Sequence, residues 1–320
     1  MTYLLLLLGF VLLVKGADWL VDGSTKVAEH FGISQMVIGL TIVSLGTSLP
    51  ELIVGVLASY EGKPGLSIGN VLGSNIANVL LILGCTAIVR TLPVPRNTIL
   101  SEVPFSLAAA LLIGFLANSA LWYESNEALF ISRGDGVIIL FFFFLFMAYT
   151  LTIARENKIA KKDAVMPPFY NMKKSALLIF GGAVALFLGG KWVVDGATQI
   201  ALQFGLSETL IGLTVLALGT SLPELVTSIS AALKNNTDIA IGNAIGSNIF
   251  NLLLILGISA NIRALPFNVA SNVDLMVVIA SSCLILISLI VGRRMSIKRN
   301  EGIVFVAAYV AYLFFVVNRG

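Results

Sequence analysis

The heptapeptide GTSLPEL occupies residues 46–52 and returns at 219–225, an offset of 173 residues. A second pair keeps the same offset, GNVLGSNIANVLLILG at 69–84 and GNAIGSNIFNLLLILG at 242–257. The flanks follow without a gap, so that Trp19 and Asp22 match Trp192 and Asp195, and Arg90 and Pro93 match Arg263 and Pro266. Between 16–93 and 189–266 there are 40 identities in 78 positions. Apolar segments resemble one another by composition, but composition does not hold Thr, Ser, Asn, Pro and Glu in register. The chain contains an internal duplication.

The surroundings of the repeat set its solvent. The chain has 320 residues, of which 58% are hydrophobic and 12% charged, about half of the ~25% charge of a soluble domain. Cys85 and Cys283 lie inside apolar runs, and His30 is the single histidine, which excludes a disulfide framework and a His-rich metal centre. Apolar runs near the ~20 residues needed to cross a bilayer fall at 2–24, 36–60, 66–89, 98–119, 131–153, 175–200, 208–232, 239–262, 272–292 and 301–317. They are too long and continuous for a β-barrel. The first lacks a basic leader and a small-residue cleavage site and reads as a mature span. Connections after odd-numbered spans hold 14 of the 20 Lys and Arg residues. This bias places them in the cytoplasm and both termini outside, in a plasma-membrane protein. It also accounts for the net charge of +3 without a nucleic-acid partner.

The expected fold is an all-α membrane protein of ten transmembrane helices arranged as two inverted five-helix repeats. An odd number of spans per copy makes the second copy enter from the opposite side. Residues 1–154 form the first repeat with its core at 36–89. Residues 175–320 form the second with its core at 208–262, and 155–174 form a cytoplasmic linker with Pro167 and Pro168.

Glu51 and Glu224 fall inside spans 2 and 7, where an ionisable side chain costs at least about 2.5–3.5 kcal/mol and marks a functional site by default. Thr47 and Ser48 precede Glu51 by four and three residues, on the same helical face, and Thr220 and Ser221 repeat this before Glu224. Pro50 and Pro223 remove the N–H that would bond the carbonyls of Gly46 and Gly219. Freed carbonyls at membrane depth are tolerated where they line a cavity and can coordinate Na⁺, so those near Ser44–Thr47 and Ala217–Thr220 are candidate ligands. In the second motif Asn70, Ser74 and Asn78 form a stripe at i, i+4 and i+8, as do Asn243, Ser247 and Asn251. The accompanying Gly69/Gly73 and Gly242/Gly246 pairs permit close helix approach. All these donors are oxygen, the choice of hard cations such as Ca²⁺ and Na⁺. Two carboxylates neutralise one Ca²⁺, two Na⁺ or two H⁺, and competition for the pair is a route to antiport.

With GTSLPE and GN-xx-GSN-xx-N in duplicate, the sequence resembles the sodium/calcium exchanger branch of the calcium/cation antiporter superfamily. It differs from the calcium/proton branch, whose second motif has a Glu soon after the GN. The resemblance implies that Glu51 and Glu224 bind Ca²⁺ and share it with Na⁺ sites. Thr47, Ser48, Ser74, Thr220, Ser221 and Ser247 are then Na⁺ ligands, Ser44 and Ala217 give carbonyls, and Asn78 and Asn251 fill the remaining central positions. Many relatives have Asp where Asn251 stands, and its absence argues against K⁺ co-transport. The expected activity is Ca²⁺/Na⁺ exchange by alternating access, with Ca²⁺/H⁺ or other cation exchange at the same glutamates as the alternative. No Walker A sequence is present for a pump. No enzyme activity, cofactor or obligate protein partner is implied. Ca²⁺ and Na⁺ are substrates, and lipid is the surrounding partner.

Some features read as structural. Asp22 and Asp195 suit caps or interfaces, Asp18 meets Lys191 across the repeat rather than another acid, and the Phe-rich run at 141–146 suits a lipid or packing face. Glu102 suits an interfacial helix start, and His30 a solvated loop.

Overall fold

The computed structural model describes residues 2–122, 129–160, 171–203, 217–291 and 295–319. Its helices are α1 (Thr2–Phe31), α2 (Gln35–Thr47), α3 (Leu49–Tyr60), α4 (Pro64–Val89), α5 (Arg96–Ala117), α6 (Arg133–Ala160), α7 (Met172–Gln203), α8 (Ala217–Thr220), α9 (Leu222–Leu233), α10 (Thr237–Ile262), α11 (Val269–Val291) and α12 (Arg299–Arg319). Among the described residues eight helices are long and apolar enough to cross a membrane, and α2 with α3 makes a ninth as a bent pair. Helix α9 is apolar but has 12 residues, and 208–216 of the expected seventh span lie outside the described residues.

Burial sorts the helices into layers. The central α10 is 94% buried along its apolar window and α4 78%, whereas α12 is 22% and α6 28% buried. The first two form the centre and the last two present apolar side chains to lipid, as expected when the surrounding solvent is itself apolar. The aromatic run at 141–146 serves both faces, with Phe143 and Phe146 buried and Phe141 and Phe144 exposed.

Small residues set the crossings. Helices α1 and α7 meet backbone to backbone. A Cβ on Gly16 would lie 2.9 Å from the Gly182 carbonyl oxygen, and one on Gly182 would lie 2.8 Å from that of Gly16. Helix α10 approaches α2 at Gly242, where a Cβ would fall 2.7 Å from the Met36 carbonyl oxygen.

Both expected breaks are present. Ser48 (φ −83°, ψ 10°) and Ser221 (φ −87°, ψ 1°) adopt the same conformation, and each is followed by a helix with Pro in its first turn. The α2–α3 pair bends by 50° there. Among the described residues three π-helical segments occur, at Gly39–Val43, Ala77–Leu83 and Phe250–Ile255. The last two hold Asn78 and Asn251 at the repeat offset. Two short antiparallel ladders were not expected. Leu92–Pro93 (β1) pairs with Ser296–Ile297 (β4), and Phe130–Ile131 (β2) with Leu265–Pro266 (β3), so each joins one half to the other.

Three smaller expectations are corrected. Helix α1 continues to Phe31, which places His30 in its last turn rather than in a loop. Helix α6 runs to Ala160, past the expected start of the linker at 155. Glu102 is buried and accepts a hydrogen bond from the Tyr149 hydroxyl at 3.0 Å, because α6 packs over the start of α5.

Candidate cation site

Four sequence-distant strips meet at the centre: the α2–α3 break, the α8–α9 break, and the middles of α4 and α10. The backbone turns at Ser48 and Ser221 direct the following glutamates inward. Glu51 is 0% and Glu224 1% exposed, although neither has a basic partner within ion-pair distance among the described residues. Two unpaired carboxylates in an apolar interior need compensation from outside the protein.

Three hydroxyls cross between the halves, and a fourth, that of Ser74, bonds within its own. Ser48 Oγ donates to Glu224 Oε1 at 3.0 Å, and Ser74 Oγ donates to Glu51 Oε1 at 3.4 Å. Thr47 Oγ1 donates to Asn243 Oδ1 at 3.0 Å, and at the equivalent place Thr220 Oγ1 donates to Asn70 Oδ1 at 3.2 Å. These bonds tie the α2–α3 break to α10 and the α8–α9 break to α4. Asn243 is held in turn by Ser228 at 3.0 Å. Asn78 Nδ2 donates to Asn248 Oδ1 at 3.0 Å, which turns the Asn78 oxygen away from that partner.

Several buried oxygens have no hydrogen-bond partner. Among the described residues they include Glu51 Oε2, Glu224 Oε2, Asn78 Oδ1, Asn251 Oδ1, Ser221 Oγ and Ser247 Oγ at the positions singled out by sequence, Asn75 Oδ1 in the same motif, and Ser24 Oγ, Glu102 Oε2 and Thr227 Oγ1 elsewhere. Buried polar atoms are nearly always satisfied, so unpartnered oxygens at these repeat positions are available to a ligand. Their chemistry is carboxylate, amide and hydroxyl, suited to hard cations. No group of three or more His, Cys, Asp or Glu exists among the described residues, so the arrangement offers nothing to a soft metal.

The twelve residues singled out by sequence have different circumstances. Glu51, Glu224, Thr47, Ser48, Ser74, Ser247, Asn78, Asn251, Thr220 and Ser221 are all buried. The Ser44 carbonyl already accepts from the Ser48 N–H at 2.9 Å and the Thr47 hydroxyl at 3.3 Å, so a cation there would compete with both. The Ser44 hydroxyl bonds the Gly39 carbonyl at 2.7 Å. Ala217 begins α8, and the residues preceding it lie outside the described ones. Sequence reasoning did not single out Asn75 and Asn248, although the GSN triplet recurs unchanged in both copies. Asn75 is fully buried with neither side-chain polar atom bonded.

A cavity of about 270 Å³ leads toward the site, lined by Pro50, Val54, Gly190, Lys191, Asp195 and Thr220 among others. It lies between α7 and the two breaks.

Comparison with known proteins supplies the wider setting. The sodium/calcium exchanger protein family matches residues 1–152 and 174–318. The chain is 36% identical to a putative antiporter, CaxA of Alkalimonas amylolytica, over 96% of its own length and 95% of that protein's. It is 33% identical to the sodium/calcium exchanger MaX1 of Methanosarcina acetivorans, covering 97% of each. The fold is similar to solved structures of the sodium-calcium exchanger NCX_Mj, one of them with a TM-score of 0.80 at 34% identity, covering 97% of this chain and 98% of that one.

Proposed function

Because the chain belongs to the sodium/calcium exchanger protein family, a family of membrane cation antiporters, we propose that it exchanges Ca²⁺ for Na⁺ by alternating access, without ATP. The observation that carries this reading is the pair of buried, uncompensated glutamates, each with an unpartnered carboxylate oxygen, together with unpartnered oxygens on Asn78, Asn251, Ser221 and Ser247.

One Ca²⁺ or two Na⁺ cancel the charge of Glu51 and Glu224. Left empty, the site holds two buried charges, each costing at least about 2.5–3.5 kcal/mol at membrane depth, so movement of the empty site is disfavoured. That penalty couples the two fluxes. A third Na⁺ would bring the loaded site to +1 and make exchange electrogenic. The serines fit this role. A hydroxyl can donate its proton to a carboxylate and still present lone pairs to a cation, so Ser48 and Ser74 orient the glutamates without leaving the shell. Thr47, Thr220, Ser221 and Ser247 complete the hydroxyl set, Asn78 and Asn251 give amide oxygens, and Ser44 and Ala217 give carbonyls.

The same reading extends to the whole chain. Ten spans form two inverted five-helix halves, 1–154 and 175–320, with both termini outside and the 155–174 linker in the cytoplasm of a plasma-membrane protein. The matched conformations of Ser48 and Ser221 and the paired clips β1–β4 and β2–β3 support that symmetry.

Calcium titration of the purified protein tests the shared site. Rising Na⁺ is expected to weaken Ca²⁺ binding competitively, with a dependence steeper than first order. Ca²⁺ binding insensitive to Na⁺ would contradict a common pair of carboxylates.

A further inference from the structure

The two halves exchange charge at two positions that the repeat makes equivalent. Asp18 of α1 corresponds to Lys191 of α7, and Glu61, just past α3, corresponds to Lys234, just past α9. Each swap alone would set like charges against each other on one face of the molecule. Together they preserve attraction on both, Asp18 with Lys234 on one face and Glu61 with Lys191 on the other.

The first pairing is made. Lys234 Nζ lies 3.0 Å from Asp18 Oδ1 and 2.8 Å from Asp22 Oδ1, and Ser230 Oγ donates to Asp18 Oδ1 at 2.8 Å. There α1 packs along α9. The second is not made. Glu61 sits 3.6 Å from Lys63 instead. Lys191 is exposed, forms no ion pair among the described residues, and lines with Asp195 the cavity that leads to Pro50 and Thr220. On that face α7 makes few contacts with α3. One face carries its ion pair, and on the symmetry-related face the pair is unmade beside a cavity.

We propose that Glu61 and Lys191 form the ion pair that closes this cavity in the opposite access state, in which Lys234 releases Asp18 and Asp22. The proposal rests on the alternating-access reading above. The two latches are unequal. Lys234 bridges two carboxylates, whereas Lys191 would be shared between Glu61 and Asp195, which stands four residues along its own helix and repels Glu61. The α1–α9 latch is therefore the stronger, in accord with its being the one that is made.

The test uses the full chain in detergent, with Cys85 and Cys283 replaced by Ala and Val54→Cys as a reporter inside the cavity. The rate of thiol modification is read with a cationic and an anionic reagent in parallel, so that local charge steers the two oppositely. In a Lys234→Gln background, which populates the closed state, Lys191→Glu sets two acids face to face and is expected to speed modification by both reagents about two- to fivefold, the range that partly exposed ion pairs support. Adding Glu61→Lys should return the rate to that of the background or below it, because a lysine at 61 then faces two acids, at 191 and 195, as Lys234 faces Asp18 and Asp22. Lys234→Glu breaks the other latch and should slow modification. Should a reversal fail to fold, Lys191→Gln and Lys234→Gln must shift the rates in the same opposed directions. In the Lys234→Gln background, rates unchanged by Lys191→Glu or Lys191→Gln, or a Glu61→Lys/Lys191→Glu swap that reacts as fast as Lys191→Glu, would overturn the proposal. Modification reads access without transport, so a wrong coupling ion would leave this result standing, and failure of the latch would leave cation exchange standing.

Discussion

The two halves carry the same ligand-bearing residues and use them differently. In the first half, Ser48, Ser74 and Asn78 each donate a hydrogen bond, to Glu224, Glu51 and Asn248 respectively. Their equivalents Ser221, Ser247 and Asn251 have side-chain atoms with no partner at all. The residues are identical, so the difference lies in how the helices are docked and not in composition. Duplication supplies two equivalent sets of groups, and the docking of the helices decides which of them the protein's own contacts occupy.

The most severe way to break this comparison is to remove a carboxylate. Glu51→Gln or Glu224→Gln is expected to lower Ca²⁺ transport by more than about tenfold, since bonds to charged groups are worth about 1.5–3 kcal/mol. Both should fold, because the amide fills the same space. Ca²⁺ flux close to that of the parent in either variant would sink the two-carboxylate site.

A second test reaches the packing that holds both halves. Gly16→Val or Gly182→Val pushes a side chain into the opposing backbone and should cost about 1–3 kcal/mol, seen as a lower thermal midpoint of the purified protein. An unchanged midpoint would mean that α1 and α7 do not meet this closely.

Serine substitutions sharpen the asymmetry itself. With cations removed, Ser48→Ala should destabilise the protein by about 1 kcal/mol, because it deletes a bond that the protein makes. Ser221→Ala deletes none and should leave the midpoint nearly unchanged, yet both should weaken Na⁺ binding. Equal thermal effects would erase the distinction between the halves. The smallest effect is expected at Lys63→Ala. Its partner Glu61 is also mostly exposed, and such pairs contribute less than about 1 kcal/mol, so thermal stability should not change measurably.

Much of the architecture was legible because its signals are local. Pro50 and Pro223 announce the breaks, apolar run length gives most of the helices, and Glu51 and Glu224 stand out against their surroundings. What escaped depends on long-range docking. A π-helical segment such as Ala77–Leu83 leaves no mark on apolar periodicity, because it shifts backbone bonds within one continuous run. The ladders β1–β4 and β2–β3 are two residues long, too short for any alternation pattern, and join segments more than a hundred residues apart. Glu102 reads as interfacial until Tyr149 of α6 is seen to cover it. The burial of Asn75 and the bond that Asn248 accepts from Asn78 depend on how α4 meets α10, which the repeated GSN triplet flags but cannot specify.

The central claim is coupling of Ca²⁺ to Na⁺ at one site. Its most direct test is ⁴⁵Ca²⁺ uptake into proteoliposomes loaded with Na⁺, at matched pH, against choline- and K⁺-loaded controls. The account predicts uptake that depends on the outward Na⁺ gradient and disappears in Glu51→Gln. Uptake indifferent to Na⁺ and driven by a proton gradient would contradict the coupling ion, and no gradient-driven uptake by folded protein would contradict Ca²⁺ as the substrate.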